Sequence, residues 1–413
     1  MSPWWRDVTA DQWKAFFAAY LAWVLDAFDF TILTFLLVDI QRSFTVNNAL
    51  AGALGTVTLM FRMIGGIGSG TFADRWGRKI PLMASILWYS AFAFLGGFSR
   101  TYTVLFVCRA LFGIGMGGTW AAGMPLALET WPARLRGKVS GMLQSGYSTG
   151  FMLSAFAFAF IYPAVNHGDT GWRTMMWIGV LPSLLVVWII GSVKESPVWL
   201  ERQRHLRDTK TRDTLSITRL FAQDLLPVTI QTSIMMGAFL VFYYSITFWY
   251  ATLIGSRGHS ALWYPVALNF GTMLGNLTWG QLSETRVGRR GAATIATAGG
   301  VLLIPLYLFT SNATLMLAGA FLMGIFGAGN FGVIPTYLNE RFPTAARAVG
   351  AGLAYHVGAF LGSFTTFFIG HLRDGGMPLN QAMAWCIAVS GIFVIVMLRL
   401  GPETRGHTFD PTT

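Results

Sequence analysis

Five ionisable residues stand inside long apolar stretches: Asp26, Asp29, Arg62, Arg109 and His356. A charge at bilayer depth costs about 2.5–3.5 kcal/mol on insertion scales, so such residues point to a ligand or ion pathway. Arg62 is the expected substrate anchor, because a guanidinium offers a carboxylate two parallel donors and keeps its charge. Arg109, shortly before Gly113, is the alternative anchor and suits proton coupling with an acid better. Asp26 and Asp29 are three apart on one helix, hence neighbours on one face. Carboxyl groups this close can share a proton, and a protonated one releases an arginine for an incoming anion. His356 is a further candidate carrier, since histidine ordinarily titrates near neutrality. The competing reading is a purely structural network in which two acids cancel two arginines.

Gln144, Tyr147, Tyr243, Tyr244, Asn269, Asn276 and Asn330 are candidate contacts to a bound solute, and each could instead join two helices by a hydrogen bond. A second set of charges falls at the ends of the apolar runs: Asp74, Arg75 and Arg78, Glu129 and Arg136, Glu284 and Arg289, Glu340 and Arg347. These are expected to pair across helices, latching the cytoplasmic side when the other side is open and parting when it opens. Enzyme chemistry has no support, because His167, His205, His259, His371 and His407 fall in separate loops or helix ends, away from any nucleophile or metal cluster. Cys108 and Cys386 lie far apart in apolar runs and read as small core residues. The glycines from Gly113 to Gly118 follow no strand, so they read as a close helix contact and not as a dinucleotide loop. No GxxxxGK[ST] loop is present, which argues against a pump driven by ATP on this chain. No cofactor is expected, only protons as coupling ion.

The 413 residues are 54% hydrophobic and 11% charged, too few charges to clothe a water-soluble domain of this length. Apolar runs of spanning length fall at about 15–38, 49–73, 79–97, 101–125, 137–163 and 171–192, then at about 225–254, 260–283, 289–309, 313–335, 346–371 and 380–400. The first run carries no small-residue cleavage site and is expected to be retained. A six-helix bundle over 1–192, a cytoplasmic linker over 193–224 and a second bundle over 225–413 are therefore expected. The linker's charges read as a solvated tether. Lys and Arg gather in alternate loops, which sets those loops and both termini on the cytoplasmic side of an inner membrane. The net charge of +11 follows that topology and does not form a nucleic-acid face.

An internal repeat supports the division into halves. Gly70, Asp74, Gly77, Arg78 and Lys79 reappear as Gly280, Glu284, Gly288, Arg289 and Arg290, and Glu129, Pro132, Arg136 and Gly141 reappear as Glu340, Pro343, Arg347 and Gly352. A weaker echo joins Glu195 to Glu403. Two similar bundles can rock about a site at mid-membrane, which is a transporter's architecture.

The loop from Gly70 to Lys79 resembles the signature of the major facilitator superfamily. Leu25, Asp26, Asp29 and Phe30, then Leu59 and Arg62, Cys108 to Gly118, and Leu143, Gln144 and Tyr147 resemble the sialate and lactate proton symporters within it. The resemblance implies an all-α membrane protein of twelve helices in two pseudo-symmetric bundles, which moves a small organic anion with protons and suffices as a monomer. Lactate-like acids, sialic acid and aromatic acids are the candidate solutes. Proton-coupled efflux of a hydrophobic molecule, or sugar uptake, is the alternative use of the same fold. The run from Phe242 to Tyr250 departs from the fungal lactate permeases, whose seventh helix carries His, Gln and Asp, and its aromatic wall implies selection of a different acid.

Overall fold

A backbone inside hydrocarbon must satisfy its own polar groups, so the apolar runs fold as helices. This computed structural model describes residues 8–131, 136–209, 220–342 and 347–405. The side chains of Asp74, Arg136 and Arg347 lie outside the described residues. The first half comprises α1 (Ala10–Phe44), α2 (Asn48–Trp76), α3 (Lys79–Gly96), α4 (Tyr102–Thr130), α5 (Arg136–Phe160) and the short α6 (Tyr162–Val165). The expected sixth run is divided into α7 (Thr170–Ile178) and α8 (Ser183–Ser192), with Pro182 at the junction. The polar stretch between the halves carries a helix of its own, α9 (Pro197–Thr209).

The second half begins with α10 (Leu226–Thr247) and α11 (Tyr250–Ser256), followed by α12 (Trp263–Ser283), α13 (Gly288–Leu302) and α14 (Ile304–Leu308). The tenth run is α15 (Ala313–Met323), a π turn over Gly324–Ala328, a 3-10 turn over Gly329–Gly332 and α16 (Ile334–Glu340). The chain closes with α17 (Arg347–Asp374) and α18 (Leu379–Leu400). Among the described residues, nine helical stretches are long and apolar enough to cross a membrane. The expected fifth, eighth and ninth runs are helical as well, as α5, α12 and α13 with α14, and are richer in Gly, Ser, Thr and Asn.

Glycine sets how closely α4 can lie on α2. A Cβ on Gly113 would strike the Thr58 carbonyl, and one on Gly117 would strike the carbonyl of Arg62. The helices thus meet backbone to backbone beneath Arg62, as small residues allow in lipid.

The repeat becomes a pair of matching charge networks at the end where the basic loops lie. Arg78 sits 3.1 Å from Glu129, while Glu195 accepts the backbone N–H groups of Arg78 and Lys79 at 2.8 and 3.1 Å. Arg289 sits 3.0 Å from Glu340, while Glu403 accepts the N–H groups of Arg289 and Arg290 at 2.8 and 3.0 Å. Even the adjoining hydroxyls match: Ser196 donates to Glu129 at 2.5 Å and Thr404 to Glu340 at 2.6 Å. Gly77, just before α3, and Gly288, the first residue of α13, have φ of 93° and 74°, and a Cβ on either would collide with the capping glutamate.

At the opposite end the halves are sewn together along α2 and α17. The N–H groups of Asn48 and Ala49 donate to the Asp374 carboxylate at 3.1 and 2.7 Å, where the open start of a helix favours an anion. Deeper in, the Thr366 hydroxyl meets that of Thr56 at 2.8 Å and donates to the Gly52 carbonyl, and Trp249 donates to the Thr366 carbonyl at 3.0 Å. The seam continues to Gly66, which abuts the His356 ring. One helical turn nearer the basic end, Gly70 and Gly352 border open space, so the two helices have separated there.

Candidate binding cavity and its charged surroundings

Arg62 divides α2 into equal halves, so its side chain leaves the helix at mid-depth. It enters a cavity lined by residues of both halves. The first half contributes Trp23, Arg62, Gln144, Tyr147 and Ser148. The second contributes Tyr243, Tyr244, Thr272, Asn276, Phe331 and Tyr355. The aromatic rings form one connected wall: Trp23 lies 5.6 Å from Tyr147, Tyr147 lies 6.4 Å from Tyr243, and Tyr243 lies 5.1 Å from Phe331.

The Arg62 guanidinium is held by ring faces and not by a carboxylate. It lies 5.4 Å from the Trp23 ring and 5.4 Å from the Tyr355 ring, both within cation–π range. Its Nε and Nη2 are buried without a hydrogen-bond partner. A buried guanidinium with idle donors carries a desolvation cost that an anion would relieve.

Asp26 and Asp29 stay out of the cavity, behind Arg62. Both are buried, and neither oxygen of Asp26 nor Oδ2 of Asp29 has a hydrogen-bond partner. Arg109 shares this region, with its Nη1 donating to the Asp29 carbonyl at 3.4 Å and its guanidinium 4.4 Å from the Phe112 ring. Among the described residues, no ion pair within 4 Å joins either acid to Arg62 or Arg109. The mutually cancelling network that the sequence allowed is therefore not formed as close pairs.

Of the eight expected substrate contacts, Arg62, Gln144, Tyr147, Tyr243, Tyr244 and Asn276 come together in the cavity. Asn269 and Asn330 do not line it. Asn269 donates to the Pro265 carbonyl one turn back, and Asn330 donates to the Ala293 carbonyl and to Thr297, tying the 3-10 turn to α13. Asn276 does line the cavity, and its Oδ1 is buried without a partner. His356 lies beside the cavity, 6.0 Å from the Trp120 ring and edge-on to it, and its Nδ1 has no partner. Trp23, Ser148, Thr272, Phe331 and Tyr355 were not expected as lining residues. Periodicity could have flagged Ser148, which stands one turn after Gln144 on the same face of α5.

The charges at the basic end form pairs of their own. Arg78 with Glu129, and Arg289 with Glu340 and Glu284, each pair within one half. They pair across helices as expected, and among the described residues these ion pairs do not reach the opposite half. Arg75 is exposed and lies 5.5 Å from the Trp76 ring. The parts given to Asp74, Arg136 and Arg347 lie outside the described residues.

Comparison with known proteins agrees with this geometry. The chain is 32% identical over 410 residues, 98% of its length and 94% of the relative's, to a probable 4-methylmuconolactone transporter of Cupriavidus pinatubonensis (strain JMP 134 / LMG 1197). It is 31% identical over 373 residues, 87% of its length and 86% of the relative's, to a sialic acid transporter of Escherichia coli (strain K12). A crystal structure of a D-xylose-proton symporter matches its fold with a TM-score of 0.78 at 18% identity, covering 97% of this chain and 100% of the other. The pattern of the Major Facilitator Superfamily matches residues 19–367. With twelve apolar runs folded as helices, a mid-depth cavity shared between two bundles and no enzyme among these relatives, the chain belongs to the Major Facilitator Superfamily of membrane transporters.

Proposed function

We propose that this transporter carries a small organic monocarboxylate across the inner membrane together with protons. The observation that supports this most is Arg62: a permanent cation with unpartnered donors, at mid-depth, facing a cavity that holds no acidic side chain. A carboxylate supplies the missing acceptors in the geometry a guanidinium prefers. The aromatic wall favours a flat or partly apolar acid body, with Gln144 and Asn276 left to recognise its polar substituents. The name of one relative, a sialic acid transporter, agrees with an acidic solute.

Symport is assigned to the region behind Arg62. Asp26 and Asp29 lack the donors that would support two carboxylates, and a proton is the counter-charge that reaches such a place most simply. Protonation of an acid there changes the field felt by Arg62 and Arg109, which couples the proton to the anion. Arg109, which donates to the Asp29 carbonyl, shares that field, and His356, in the second half, is the other candidate carrier. Alternating exposure of the cavity follows from the seam at the far end and the separation at the basic end, which we assign to the cytoplasm together with both termini.

The test is uptake into proteoliposomes under an inward proton gradient, with lactate, sialic acid and benzoate offered singly. External alkalinisation should accompany uptake of at least one acid. Asp26→Asn or Asp29→Asn should abolish the alkalinisation. Transport that persists in both variants with proton uptake intact would reject the assignment. Lack of uptake of any acid, with export of a hydrophobic dye instead, would reject the substrate class.

A further inference from the structure

Tyr355 occupies a place that the transport reading leaves unexplained. It belongs to α17, in the second half, yet its ring is inserted between two residues of the first half. One face lies 5.4 Å from the Arg62 guanidinium. The ring also stacks on Trp120 of α4, with centroids 5.0 Å apart and planes within 6° of parallel. Tyr355 is 7% exposed, so the slot closes tightly around it.

Its depth fixes what the slot can do. Tyr355 stands eight residues from the start of α17 at Arg347, about 12 Å along the helix. Trp120 stands nine residues before Glu129, about 13 Å from the charge network at the basic end. Arg62 lies deeper, fourteen residues or about 21 Å from the end of α2 at Trp76, and Tyr355 lines the cavity on its basic side. Beyond it, Gly70 and Gly352 already border open space. The Trp120 and Tyr355 rings therefore lie between the cavity and the opening at the basic end.

We propose that Tyr355 is the inner gate of the cavity, gripped between Trp120 and Arg62, and that the free positive charge of Arg62 holds it shut. The grip on the Arg62 side is electrostatic, because a ring face attracts a cation. An anion seated on Arg62 neutralises that cation and loosens the ring, leaving Trp120 as the remaining hold. Release of Tyr355 lets α17 draw away from α4 and exposes the cavity to the basic side. The gate thus opens best when the site is loaded. This last step rests on the proposal that Arg62 binds an anion, whereas the gate itself does not.

The test uses the full-length protein with Cys108→Ala and Cys386→Ala, and Ser148→Cys as a buried reporter in the cavity wall. Inside-out membranes are treated with a membrane-impermeant maleimide, and the labelling rate is read. Tyr355→Leu should raise the rate about fivefold in the absence of any solute, the scale of one lost cation–π contact. Arg62→Gln should raise it similarly, and Tyr355→Phe, which keeps the ring, should leave it unchanged. Trp120→Leu opens the other side of the slot and should act as Tyr355→Leu does, which guards against one variant misfolding. Benzoate should speed labelling of the parent but not of Arg62→Gln, and benzamide should do neither. Parent rates in both Tyr355→Leu and Trp120→Leu would overturn the gate, as would fast labelling in Tyr355→Phe. If Tyr355→Leu and Arg62→Gln label fast while benzoate has no effect, the gate stands and the monocarboxylate reading is what fails.

Discussion

At the rim of the molecule, Arg78, Glu129, Glu195 and Ser196 in the first half have direct counterparts in Arg289, Glu340, Glu403 and Thr404 in the second. At mid-depth the correspondence ends. Positions 211 further on from Asp26, Asp29, Arg62 and Arg109 are Gly237, Leu240, Met273 and Ala320. Among the described residues the buried charges at the centre, Asp26, Asp29, Arg62 and Arg109, thus belong to the first half, and the second answers with Tyr243, Tyr244, Phe331, Tyr355 and amides. Duplication kept what the fold requires of each bundle and let the two inner faces diverge, one carrying charge and the other aromatic and amide groups.

Removing charge from the first half's centre should have the largest effect on transport. Arg62→Gln should cut the initial rate of acid uptake about 100-fold, the scale of a charge-assisted hydrogen-bonded contact. A loss below threefold at equal protein in the membrane would place the anchor elsewhere. The rim should respond in folding instead, and alike in the two halves. Arg78→Gln and Arg289→Gln should each cost about 3 kcal/mol by leaving a glutamate unpaired, read as a lower thermal midpoint in detergent. A drop for only one of them would break the equivalence of the two networks.

A finer contrast separates cavity from scaffold within the second half. Asn276→Leu should raise the KM for the transported acid about tenfold and hardly move the thermal midpoint, because its amide bonds to nothing in the protein. Asn330→Leu should leave KM unchanged and lower the midpoint, since it breaks bonds to Ala293 and Thr297. The smallest effect concerns acidity. Burial pushes the Glu403 carboxyl up, but the N–H groups of Arg405, Arg289, Arg290 and Thr404 outweigh it and hold the group below its ordinary value. Its stabilising part is then complete above the unfolded value of about 4.3 and fades as pH falls through the lower folded value. The thermal midpoint should decline as pH drops below about 4.3, and less steeply in Glu403→Gln. An unchanged slope in that variant would show that the cap carries no such linkage.

Much of this was legible from spacing alone. The repeat predicted twin networks because paired charges at equal offsets need equal partners, and the glycines from Gly113 to Gly118 predicted a close helix contact because nothing else suits such a string in lipid. Depth was harder to read. Asn269 and Asn276 are seven residues apart on α12, two turns, so they share a face and differ only by about 10 Å along the axis. Periodicity sees the face and not the depth, and only Asn276 reaches the cavity. Partner choice was hidden for a similar reason. Arg289 could meet a glutamate of either half by sequence, and its pairing with Glu340 depends on how α13 and α16 cross. Tyr355 was overlooked because an aromatic residue on a membrane helix is ordinarily packing, and its role appears only with Trp120 and Arg62 on either side.

The contact of Gly117 with the Arg62 carbonyl has a mechanical corollary. A guanidinium whose own backbone lies against the neighbouring helix cannot shift relative to it, so α2 and α4 move as one body around mid-depth. Any displacement that exposes the cavity to one face of the bilayer or the other is then a movement of this unit of α2 and α4, with its charge, relative to the opposing bundle.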